Sequence, residues 1–138
     1  MSDPRSGARY LSPPGAISPT GPWSVAALDP TANTLYVAGM RGIDPATNRL
    51  VDGEEARIRQ AFHNMRHIAE SRGASLKDCL RLVVYVTDMA RHRPIANRVQ
   101  EEFWAGGPYP PRTIVEVRRL NDDDIFEVEG TFRVPAAR

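Results

Sequence analysis

The last stretch of the chain constrains the fold most. From Phe126 to Val134, the side chains of Phe126, Val128, Phe132 and Val134 fall on one side of an extended segment, and those of Glu127, Glu129 and Thr131 fall on the other. The apolar face needs covering, most simply by helices, while the carboxylate face must look at water, at a cation or into a shared cavity. A second extended run, Arg112 to Val117, puts Thr113, Val115 and Val117 on one face and Arg112, Ile114 and Glu116 on the other. Pro110-Pro111 restrict the backbone just before it, so Arg112 is fixed at the start of an extended segment and not on a flexible loop. Its guanidinium stays charged and presents a planar fork suited to a carboxylate or phosphate. If the two runs pair, a fixed cation and two carboxylates lie near each other on one sheet, an anion-binding and water-activating arrangement. On these residues alone that reading stands beside a plainer one, a solvent-facing strand with Arg112 in a weak surface ion pair.

The rest of the chain supplies the covering layer. Glu54 to Ser71 is the clearest predicted helix: Ile58, Ala61, Phe62, Met65, Ile68 and Ala69 form one apolar stripe, Glu54 and Glu55 suit the helix dipole, and Arg72-Gly73 stop it. Pro94 to Trp104 reads as a second helix with Pro94 in its first turn, Ile95, Val99 and Phe103 buried, Trp104 packed in the core, and Gly106-Gly107 ending it. Strands are predicted at Trp23–Leu28, Thr34–Gly39 and Leu80–Val86, the first two joined by a turn over Asp29–Asn33. Ile43 to Gly53 reads as a turn-rich connection. Residues 1–20 read as a flexible, Pro-, Ser- and Gly-rich tail, within which Arg9-Tyr10-Leu11 has the makings of a short edge strand, and 21–138 as one domain. The order ββαβαββ describes an α+β two-layer sandwich, a mixed β-sheet with two helices on one face.

Composition narrows the function classes. A formal net charge of +1 gives no electrostatic footprint for nucleic acid or membrane. No apolar run approaches the ~20 residues that span a bilayer, and no signal-peptide core is evident, so the expected compartment is the cytoplasm. A single cysteine, Cys79, excludes an intrachain disulfide. His63 and His67 share a predicted helix face, but without a neighbouring glutamate or a third ligand they read as a surface pair and not a metal site.

Several short segments recur in order: Gly21-Pro22-Trp23-Ser24, Leu35-Tyr36-Val37-Ala38-Gly39, Ile43-Asp44-Pro45, Val86-Thr87-Asp88-Met89, Pro110-Pro111-Arg112-Thr113 through Glu116-Val117, and Glu127-Val128-Glu129. Together they make the chain similar to the RidA/YjgF family of small enamine/imine deaminases over roughly residues 21–134. The resemblance implies a chorismate-mutase-like fold and a homotrimer, with ligand clefts between neighbouring subunits. It implies hydrolysis of 2-aminoacrylate or 2-iminopropionate to keto acid and ammonia without cofactor or metal.

Carried over by position, Arg112 matches the arginine that grips the substrate carboxylate, and the backbone N–H of Ile114 matches a second donor to that group. Glu127 matches the glutamate that positions the attacking water. Asn97 matches a cleft asparagine, and Gly39 a backbone position close to the ligand. Trp23 stands where tyrosine is usual. Ala38-Gly39-Met40 replaces Ser-Gly-Gln, and Arg91, His92 and Arg93 occupy a place where an aromatic is common. These departures imply a more apolar or differently shaped pocket. They leave open a pathway enzyme for a larger imine, such as an aminomuconate-like intermediate, or a non-catalytic metabolite-binding member.

Overall fold

The computed structural model describes residues 7–135. Eight strands and two long helices follow one another: β1 (Arg9–Leu11), β2 (Ala26–Asp29), β3 (Thr34–Met40), β4 (Ile43–Asp44), β5 (Arg49–Leu50), α1 (Glu54–Glu70), β6 (Cys79–Val86), α2 (Met89–Trp104), β7 (Arg112–Glu116) and β8 (Phe126–Arg133). Short 3-10 turns at Leu76–Asp78 and Asn121–Asp123 lead into β6 and β8. Six strands form one sheet in the order β1-β2-β3-β8-β6-β7, and β4 and β5 form a separate hairpin. The β6–β7 pair is parallel and every other neighbour is antiparallel, so the sheet is mixed.

The alternation of β8 decides what lies on each face. Phe126, Val128 and Phe132 are buried beneath the helices, and Leu35, Val37, Leu82, Val84 and Val86 join them from neighbouring strands. The α1 stripe of Ile58, Ala61, Phe62, Met65, Ile68 and Ala69 is fully buried against this layer. Val99 and Trp104 close it from α2, where the Trp104 indole N–H reaches the Leu76 carbonyl at 3.1 Å. Phe62 sits at the middle, its ring centroid 5.6 Å from those of both Phe103 and Phe126. The opposite sheet face carries no helix, and Tyr10, Tyr36 and Val115 remain 59%, 52% and 37% exposed there.

Several sequence expectations are corrected. The 112–117 and 125–134 runs do not pair, because β6 is inserted between β7 and β8. The second helix begins at Met89 and not at Pro94: the Asp88 side chain caps it by accepting the Arg91 N–H at 3.1 Å, and Pro94 sits in the second turn at the cost of one helical bond. The 43–53 connection contains the β4–β5 hairpin. In the stretch read as a flexible tail, Ile17 is instead buried in the core; the short edge strand expected at Arg9–Leu11 is present, paired with β2, and residues 1–6 lie outside the described residues.

One buried polar residue fixes the connection after β3. Asn64, on the core side of α1, donates to the carbonyls of Arg41 (3.0 Å) and Ile43 (2.7 Å) and accepts from Gln60 (2.9 Å). Asn64→Ala leaves the Ile43 carbonyl without its donor and the Arg41 carbonyl with only the Ile43 N–H at 2.8 Å, and the expected loss is about 2 kcal/mol in urea denaturation. A loss below about 0.5 kcal/mol would show that water or rearranged backbone satisfies them equally well.

Candidate active site

Glu127 belongs to a wall made by strands and loops that are distant in sequence. It shares a cavity of about 250 Å3 with Trp23, Ala38, Gly39, Arg41 and Asn121, among others. Gly39 admits the close contact: a Cβ there would meet Glu127 Oε2 at 2.2 Å and displace it, so the carboxylate lies directly against the β3 backbone. The two carboxylates of β8 are not equivalent. Glu129 accepts the Tyr85 hydroxyl at 2.6 Å, and this bond, with burial added, pushes the tyrosine up to about 12. The Glu127 carboxylate accepts no hydrogen bond among the described residues. Burial pushes its carboxyl above the usual carboxylate range, Arg41 opposes that, and Glu129 and Asp124 reinforce it. Glu127 is therefore the free base of the pair, with a proton affinity moved toward neutrality.

Arg112 lies elsewhere. It pairs with Leu82, which in turn pairs with Gly130, so its side chain emerges on the helix side of the sheet. Glu127 pairs with Tyr85 and emerges on the open side. Strands two places apart are about 10 Å from each other, so the residues are separated both laterally and by the sheet itself. Arg112 lines a second, wider cavity of about 450 Å3 with Asn97, Gln100, Glu101, Tyr109 and Pro110. Its Nη1 donates to Gln100 Oε1 at 2.8 Å, and among the described residues no carboxylate pairs with it. Burial, with Arg93 nearby, disfavours its charged form, a cost that an incoming anion relieves.

Asn97 is exposed on α2 beside Arg112. The flanking ladder bonds, Leu82 N–H to the Pro111 carbonyl and Val117 N–H to the Val86 carbonyl, assign odd-numbered residues of β7 to the ladder. The N–H of Ile114 therefore points away from β6 at the sheet edge, free to serve a ligand. Two half-sites result: Trp23, Gly39 and Glu127 in one, Asn97, Arg112 and Ile114 in the other.

The comparisons with known proteins meet this geometry. A family profile described as Endoribonuclease L-PSP matches residues 14–134. A RutC family protein of Sulfurisphaera tokodaii is 38% identical over 114 residues, 82% of this chain and 88% of the relative. A 2-iminobutanoate/2-iminopropanoate deaminase of Dermatophagoides farinae is 34% identical over 125 residues, covering 88% of this chain and 93% of that one. The solved structure of a probable translation initiation inhibitor from Rhodopseudomonas palustris superposes with a TM-score of 0.88 at 45% identity, over 94% of this chain and 99% of the other.

The chain belongs to the RidA/YjgF family. Its fold is the family fold, and the departures within it now have locations. Met40 is wholly buried in the core, so its replacement of glutamine leaves the cavity wall untouched; Ala38 does line the cavity. The cavity is not simply more apolar, because Arg41 and Asn121 line it too. Arg91 and His92 turn away to Glu54, at 2.9 Å and 2.7 Å, and tie the start of α2 to the start of α1. His63 and His67 are separately engaged, His63 with Arg66 at 2.8 Å and His67 with the Pro14 carbonyl at 2.8 Å. Arg41, Asp124, Arg57, Tyr85 and Gln100 escaped the sequence reading, since none lies in a periodic or spaced motif.

The raised Glu127 has a consequence for stability. The folded protein holds this proton more tightly than the unfolded chain, so the stability it contributes is complete below the ordinary carboxylate range and is lost as pH rises through the raised folded value. Glu127→Gln removes that dependence. Urea midpoints of the variant and wild type are expected to coincide near about pH 4 and to favour the variant at neutral pH. A variant less stable than wild type at neutral pH would contradict the assignment.

Proposed function

We propose that this protein hydrolyses small 2-imino acids, and the 2-enamino acids that tautomerise to them, to keto acid and ammonia. The observation that carries the reading is Arg112: a half-buried guanidinium that makes no ion pair among the described residues and opens on a cavity with Asn97, Gln100 and Glu101, near the sheet edge where the Ile114 N–H points outward. A substrate carboxylate supplies the missing partner, bound bidentately by Arg112 and hydrogen-bonded by Ile114. The deaminase name borne by the Dermatophagoides relative supports the same chemistry, a C–N bond hydrolysis.

The reaction is water-driven and redox-neutral. Water attacks the carbon of the protonated imine as Glu127 takes one of its protons, giving a carbinolamine; Glu127 returns that proton to the nitrogen, the C–N bond breaks, and ammonia leaves as the hydroxyl proton passes to Glu127 and the C=O forms. Fixing the carboxylate makes the addition effectively intramolecular. Nothing in this sequence calls for a cofactor or metal.

Arg112 and Glu127 emerge on opposite sides of one sheet, so the reading places the reactive site between copies. A homotrimer, as the family resemblance implies, covers the exposed Tyr10, Tyr36 and Val115 on the open face. It sets the Glu127 half-site of one copy against the Arg112 half-site of the next. Trp23 lines both the Glu127 cavity and a neighbouring hollow of about 460 Å3, which favours imines with a side chain longer than methyl as additional substrates. The nuclease in the family description asks for different surroundings: two carboxylates on the open face repel a phosphodiester.

The test is release of ammonia and keto acid from 2-iminopropionate generated in situ, extended to imines with longer side chains. Wild type is expected to accelerate it, and Arg112→Ala to lose about a hundredfold or more in kcat/KM while remaining folded. No acceleration of any imino acid by the folded wild type, or an Arg112→Ala variant as active as wild type, would refute the reading.

A further inference from the structure

Arg41 is buried, yet it lines the Glu127 cavity. It is anchored from one side only: Nη1 donates to the Asn121 carbonyl at 3.0 Å and to Asp124 Oδ2 at 2.9 Å, and Nη2 donates to Asp122 Oδ2 at 3.2 Å. Its Nε–H and one Nη2–H have no partner among the described residues. Asp124 has no exposed side-chain surface. Its second oxygen lies 3.4 Å from Arg57 Nη1 on α1 and accepts the Ile125 N–H at 2.7 Å. The clamp therefore joins the end of β3, the turn before β8 and helix α1 at the entry to the strand that carries Glu127.

A cluster that only tied these elements together would do so as well with apolar side chains, since buried ion pairs seldom out-stabilise a packed apolar replacement. What apolar residues do not supply is charge at the cavity. The groups facing Glu127 are otherwise acidic or neutral: Glu129 on its own strand, Tyr85 from β6 bound to Glu129, Asp124 from the preceding turn, and the bare backbone of Gly39 from β3. Arg57 stands behind Asp124. Arg41 is the cation that both belongs to the clamp and reaches the cavity wall.

We propose that Arg41 is a positioning residue: clamped by Asp124, it holds a positive charge at the Glu127 cavity and so keeps the general base available as a carboxylate in acidic, half-buried surroundings. The inference rests on Glu127 being the base of the proposed hydrolysis. The electrostatic balance at Glu127 agrees with it, because Arg41 is the influence that opposes burial there while Glu129 and Asp124 add to it. Asp124 has a double effect: it steadies Arg41, and its own negative charge works against Glu127.

The two partners therefore make opposed predictions. Side-chain carboxyl carbons of the full-length oligomer, labelled with 13C-glutamate, are titrated by NMR, with Glu127 assigned by its absence in Glu127→Gln. Arg41→Met is expected to move the Glu127 titration upward by about one pH unit, Arg41→Lys to restore much of it, and Asp124→Asn, which keeps the cation and removes a negative neighbour, to move it downward. The acidic limb of kcat/KM against pH should move in the same directions. A structural clamp alone would lower stability in both variants and displace neither titration. An unmoved Glu127 in folded Arg41→Met, or an upward displacement in Asp124→Asn, would overturn the proposal. If Arg41→Met does not fold, Arg41→Gln, which keeps hydrogen-bond donors and removes the charge, takes its place with the same expected upward movement. The titration needs no turnover, so inactivity of the wild type would refute the proposed hydrolysis while leaving this result readable.

Discussion

The pleat of a β-sheet sends successive side chains to opposite faces, and the position of β6 turns that local rule into the central constraint on this protein. Because β6 separates β7 from β8, register alone sends Arg112 to the helix side and Glu127 to the open side. No rotamer change within one copy carries a side chain through the sheet. The helix side provides an edge cavity with a guanidinium that makes no ion pair among the described residues, and the open side provides a free carboxylate against bare backbone. Each half is chemically incomplete, and the two are complementary.

The Glu127 half is built by contacts between segments far apart in sequence. Gly39 lets the carboxylate lie on the β3 backbone, Tyr85 occupies Glu129 and leaves Glu127 free, and the Arg41–Asp124 clamp fixes the turn that launches β8. Asn64 secures the same connection from α1 by holding the carbonyls on either side of Gly42. The Glu127 carboxylate is thus placed by the packing that builds the core, and its proton affinity is moved by its burial and by its charged neighbours.

Local periodicity revealed much of this. The alternation of β8 separated core from carboxylates correctly, and the α1 stripe was buried residue for residue. The start of α2 was missed because Pro94 fits the first turn of a helix so well; the capping aspartate six residues earlier was the better signal. Strand order was not legible, since nothing in β7 or β8 records that β6 lies between them. The Arg41–Asp124 pair was equally silent: an 83-residue separation leaves no spacing to read. The named site residues fall into two half-sites, Trp23, Gly39 and Glu127 in one and Asn97, Arg112 and Ile114 in the other, a division the linear sequence does not express.

The central claim is that a working site takes its arginine from one copy and its glutamate from another. Co-expression of Arg112→Ala with Glu127→Gln tests it most directly, with mixed oligomers verified by mass. Each variant alone should be inactive. In randomly mixed trimers about one site in four combines an intact Arg112 with an intact Glu127, so roughly a quarter of wild-type imine hydrolysis should return. Mixed oligomers that remain as inactive as either parent would contradict a site shared between copies.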